Sequence, residues 1–219
     1  MAIDPRHRRS QLCEPEKLTF AALDGIAFAA ARGRLGQVRE HSERDLGPLI
    51  EMIQLARTGL LPSPVSAPWL RLNGSAPILR AATGQSEGWT SSYGSTSGFM
   101  RCDTRQTDPK RWTAFQLDAH KAALALKFPR DTVNRLISAM GEIVDNVLEH
   151  SQASTAGFVV FDSRDGVFEF VVADDGVGAL ASLQSNPEYA HLADEGDALQ
   201  CALTDGESRF GKAAQRGTG

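Results

Sequence analysis

Apolar residues recur at three- and four-residue steps through one long stretch of this chain. Val133, Leu136, Ile137, Met140, Val144, Val147 and Leu148 form a single stripe. That spacing predicts an amphipathic helix over 131–150, with Asp131, just after Pro129, as its cap. At roughly 100° per residue, Glu142 falls opposite the stripe, Asn146 lies near Glu142, and Asp145 and Glu149 flank them. Further on, the period shortens. Residues 157–161 and 167–173 read as two strands, and Asp162-Ser-Arg-Asp165-Gly166 reads as the turn of a hairpin between them. A second helix is expected over 194–203, after which the chain turns glycine-rich and basic.

Upstream the pattern is weaker. Residues 48–58 read as a helix, with proline in the first turn and Leu49, Ile50, Met52, Ile53 and Leu55 as apolar positions, ended by Gly59. Residues 18–32 are alanine-rich and helix-prone, though interrupted by Gly25. Residues 76–81 read as a short strand. Of the 16 residues 83–98, 12 are Gly, Ser or Thr, which predicts a loop or linker. The chain is therefore expected to divide near residue 110. A largely helical N-terminal region, 1–110, would have a sensory or interaction role, and a second domain would span 111–219.

Composition changes this picture little. With 219 residues, 42% hydrophobic and 23% charged, the chain can build a core of one or two domains. No apolar run reaches the roughly 18 residues of a membrane span, and the Arg-rich start lacks the apolar stretch of a secretory signal. Cys13, Cys102 and Cys201 form no metal or redox motif and suit a reducing, cytoplasmic compartment. Charge is more informative. Residues 1–110 carry 14 Lys and Arg against 11 Asp and Glu, whereas 111–219 carry 9 against 16. The acidic second half argues against a nucleic-acid groove there, yet is compatible with a nucleotide that arrives with Mg²⁺.

Three short motifs fall in that acidic half: Glu142-Ile-Val-Asp145-Asn146, Asp174-Asp175-Gly176-Val177-Gly178 and Arg216-Gly217-Thr218-Gly219. The first sets a carboxylate and an amide one helical turn apart. Asn146 offers a neutral oxygen to Mg²⁺, and Glu142 could orient or deprotonate a water. The second ends a strand with a carboxylate beside two glycines, where Asp174 could accept a hydrogen bond from an amino group and Gly176 and Gly178 allow close approach. The third, with Arg209 and Lys212 before it, brings cations and a glycine turn suited to a lid over phosphates. Alone, each has a plain reading as a solvated helix face, a turn or surface charge; their order and spacing shift the balance. Gly206–Ala213 nearly matches a phosphate-binding P-loop, but Ala213 stands where a hydroxyl is needed and the segment follows a predicted helix, not a strand.

Together the motifs resemble the ATP-binding domain of the GHKL superfamily (gyrase, the ninety-kilodalton heat-shock chaperones, histidine kinases and MutL), over about residues 111–219. The resemblance implies an α+β, two-layer Bergerat-type fold with helices on a mixed sheet. Family members continue past this last glycine box, so the final strands are expected to be missing here. It further implies Glu142 as catalytic base and Asn146 as the Mg²⁺ ligand. Asp174 would be the adenine contact with Gly176 and Gly178 beside it. Arg209, Lys212, Arg216, Gly217, Thr218 and Gly219 would belong to the lid and second glycine box. The implied activity is Mg²⁺-dependent ATP hydrolysis or phosphoryl transfer to a partner protein in signalling, with neither nucleic acid nor membrane as partner and a homodimer left open. Histidine autophosphorylation is not expected, because His41-Ser-Glu-Arg44 lacks the phosphoacceptor pattern. A non-enzymatic ATP-dependent switch, or an interaction protein on an ATPase fold, is the alternative.

Overall fold

The computed structural model describes residues 14–43, 45–84, 86–91, 96–102, 108–151 and 157–203. It is a mixed α/β protein that divides into two compact units, Met1–Thr83 and Gly84–Gly219. Among the described residues there are seven α-helices, a three-stranded parallel sheet and a four-stranded antiparallel sheet. No helix among them is long and apolar enough to cross a membrane.

The first unit alternates strand and helix: β1 (Glu16–Lys17), α1 (Phe20–Ala31), β2 (His41–Ser42), α2 (Leu46–Arg57), β3 (Leu70–Arg71) and α3 (Ala76–Thr83). The three short strands pair in parallel in chain order, an arrangement that needs a crossover between each pair, here α1 and α2. Thr19 caps α1 by accepting the Ala22 N–H at 3.1 Å. Leu18, Leu23, Ile26, Met52, Leu61 and Trp69 form the core. The expected helices over 18–32 and 48–58 are present, and Gly25 is carried within the first. Residues 76–81 are helical rather than extended, because Ile78, Leu79, Ala81 and Ala82 are all buried, and the spacing of 78, 81 and 82 is that of a helix face, not an alternation.

The second unit is built on an antiparallel sheet of β4 (Gly88–Thr90), β5 (Ser97–Cys102), β6 (Gly157–Arg164) and β7 (Val167–Asp174), in that order. Two helices, α4 (Pro109–Ala125) and α5 (Arg130–His150), pack on one face. Phe115, Ala119 and Ala122 of α4, with Met140 and Val144 of α5, meet Met100, Val159 and Phe161 from the strands. Phe161 sits edge-on to Phe115 at 5.1 Å and stacks near Phe168 at 6.1 Å. The chain ends its described part with α6 (Gly178–Gln184) and α7 (Glu195–Ala202), which pack through Leu183, Tyr189 and Ala198.

Several expectations change here. The stretch 83–98 supplies β4 and the start of β5, and the boundary between units falls at Thr83/Gly84 rather than near residue 110. Strand pairing supplies the backbone with partners that its Gly/Ser/Thr side chains do not announce. The four described strands of this sheet are all antiparallel, where a mixed sheet was expected. Pro129 occupies the N-cap position of the long helix without a side-chain cap, and Asp131 lies inside the first turn, where a carboxylate favours the helix dipole. The hairpin forms as expected but with a tighter turn. Asp165 and Gly166 both have positive φ, 52° and 80°, the requirement of a two-residue type I′ turn, so the strands run to Arg164 and from Val167.

Candidate functional site

The end of β7, the last turns of α5 and the start of α6 enclose a cleft of about 380 Å³ within the second unit. Its wall is apolar on Ile143, Val147, Val172, Ala179, Leu183 and Ala202, and polar on Asn146, His150, Ser151, Asp174 and Ser182. A mostly apolar hollow with a few convergent polar groups, of this volume, is the usual form of a small-molecule site.

Each polar group has a structural reason to be there. Asn146 and His150 are one turn apart on α5, so both face the cleft, while Met140 and Val144 anchor the helix on the sheet side. Asp174 is the last residue of β7 and its Oδ1 accepts the Gly176 N–H at 2.7 Å, a local turn that directs the chain off the sheet. The Val177 N–H then donates to the Ser151 carbonyl at 3.0 Å, docking the turn on the carboxyl end of α5. That docking explains Gly176. A Cβ there would stand 2.6 Å from both the Cα and the carbonyl oxygen of Ser151 and 2.5 Å from Asp174 Oδ1, distances that side-chain carbons do not adopt. Gly178, with φ of 80°, turns the chain into α6. Glu195, at the start of α7, accepts the Leu180 N–H at 3.2 Å and so ties α7 to the first turn of α6.

The fold thus brings Asn146, Asp174 and Gly178 to one cleft, with Gly176 packed beneath its rim. Glu142 is exposed on α5, one turn before Asn146, and is not among the residues that line the cleft. Arg209, Lys212, Arg216, Gly217, Thr218 and Gly219 lie outside the described residues. His150, Ser151 and Ser182 are lining residues that sequence reasoning did not assign to the site. For His150 a signal existed: 142, 146 and 150 follow the helical period. Ser151 and Ser182 come to the cleft only through tertiary packing.

Among the described residues no three His, Cys, Asp or Glu gather as a metal-binding group. A magnesium ion held with a nucleotide does not need such a cage, since phosphate and water oxygens complete its shell around one or two protein ligands. Asn146, on the cleft wall, fits that role, and the apolar wall fits a heterocyclic base. Comparison with protein-family profiles, with curated proteins and with solved structures finds no match to this chain.

Proposed function

We propose that residues 84–219 form an ATP-binding module of the histidine-kinase-like type, on a Bergerat-type variant of the α/β architecture. The observation that carries this reading is the single cleft in which Asn146 from the first motif meets Asp174 and Gly178 from the second. The two motifs are separated by the whole β6–β7 hairpin in sequence, and chance alone gives them no reason to share a small-molecule hollow.

In this reading Asp174 accepts a hydrogen bond from the exocyclic amino group of adenine, and Val147, Val172 and Leu183 shield the ring from water. Gly176 and Gly178 let the backbone approach the base. Asn146 holds Mg²⁺ through its side-chain oxygen. When bound, the ion would supply positive charge to offset that of the triphosphate. Glu142, one turn along α5, orients or deprotonates the attacking nucleophile. Arg209, Lys212 and Arg216 belong to the lid that the resemblance implies. Hydrolysis, or transfer to a partner protein in signalling, is the activity this supports.

The place of Glu142 outside the cleft lining favours a second reading, in which ATP binds and switches an interaction without turnover. Two substitutions separate the readings. In the enzyme, Glu142→Ala lowers kcat by 10²-fold or more, the usual worth of a general base, and leaves ATP affinity within about a factor of three. In the switch, there is no turnover to lose. Asn146→Ala removes Mg²⁺-dependent affinity in both. Unchanged Mg²⁺-dependent binding in Asn146→Ala overturns the site.

A further inference from the structure

Helix α1 is apolar almost all round. Of its sequence FAALDGIAFAAA only Asp24 and Gly25 are not Ala, Phe, Leu or Ile, yet only Leu23 and Ile26 are buried. A helix that is hydrophobic on every side is normally buried on every side. Here Phe20 and Phe28 keep 55% and 58% of their surface in solvent. Successive 100° steps place Phe28 opposite the Leu23–Ile26 stripe, with Asp24, Gly25, Ala31 and Arg32 around it, all exposed.

Two details say what covers this face. The first is Gly25. A Cβ at this position would meet nothing within 4 Å among the described residues, so no packing there requires a glycine where it costs helix stability. The second is charge. Asp24 has no ion pair among the described residues, and Arg32 only rests its guanidinium 3.9 Å over its own Phe28 ring. These opposite charges stand four residues on either side of Phe28. A second α1 laid antiparallel across the first, with the two-fold axis at Phe28, sets Asp24 of each copy against Arg32 of the other. The same operation sets Phe28 against Phe28, with the small residues Gly25 and Ala31 on its two flanks. The face is self-complementary in charge and apolar content, as an isologous contact must be. We infer that α1 is a homodimer interface, with a second copy of this chain as its occupant.

The full 219-residue chain tests this by analytical ultracentrifugation over a concentration series. The wild type is expected to dimerise. Asp24→Arg and Arg32→Asp each replace two attractions with two repulsions and are expected to weaken the dimer on the order of tenfold or more. Mixed together, the two variants form a heterodimer in which both pairs are attractive, and dimerisation returns. Gly25→Leu, which has open space in the single chain, is expected to abolish the dimer while leaving the circular dichroism spectrum and thermal midpoint at or above wild type. A wild type that stays monomeric to about 1 mM overturns the inference. A dimer unaffected by these variants, or a mixture that does not recover, overturns it equally.

Discussion

At Gly176 the missing side chain is what lets the Asp174–Gly178 turn lie on the end of α5 and leave a cleft between them. Gly176→Ala forces a carbon into the Ser151 backbone, which has no rotamer to yield. The expected loss is about 1–3 kcal/mol, read as a lower urea midpoint, together with weaker nucleotide binding. Cys102 makes a different statement at the same scale. It is buried in the sheet, and desolvation pushes its thiol from the ordinary 9.0 up to about 12. Between those values the folded chain keeps a proton that the unfolded chain releases. The contribution is therefore intact below pH 9.0 and is lost as pH rises towards about 12. Stability measured from pH 8 upward should fall more steeply in the wild type than in Cys102→Ala. At pH 8, iodoacetamide should modify the half-buried Cys201 well before Cys102.

At the scale of elements, what the sequence revealed depended on how loudly each one spoke. Helix α5 was legible because seven apolar residues, Val133 to Leu148, hold one stripe over about four turns. The β6–β7 hairpin was legible because Asp165-Gly166 sits between two β-branched and aromatic runs. Helix α4 was not singled out, for its buried positions are Phe115 and three alanines, Ala119, Ala122 and Ala123, which carry little periodic contrast. Strands β4 and β5 were hidden by composition. Their glycines and serines read as linker, yet Gly98 leaves room for the Phe161 and Phe115 rings to reach the strand. The three two-residue strands of the first unit are too short for any alternation to register. Phe161 shows how much rests on the hidden part, because it joins β6 to α4 through Phe115 and lies opposite Gly98 on β5. Fully buried, it should cost about 3–5 kcal/mol on replacement by Ala, measured by denaturant unfolding, where an exposed residue such as Val167 should cost far less.

Across the whole molecule, the acidic second half holds the cleft, and the division at Thr83/Gly84 gives that cleft to a unit with its own core. Two parts of the candidate cleft were named from the sequence, Asn146 on α5 and Asp174 and Gly178 at and just past the end of β7, because both lie on elements with clear periodicity. Its serines and the Glu195 tie between α6 and α7 were not, since they depend on which loops pack together. The account stands or falls on whether this cleft takes ATP. Calorimetry of ATP binding to the 219-residue chain, with and without Mg²⁺, tests that most directly. The account predicts Mg²⁺-dependent binding in the micromolar range, about 8 kcal/mol. Asp174→Asn, whose side-chain oxygen can still accept the Gly176 N–H, should lose most of that affinity. A chain that circular dichroism shows to be folded and that takes up no ATP, or one that binds equally well with Asp174→Asn, would contradict it.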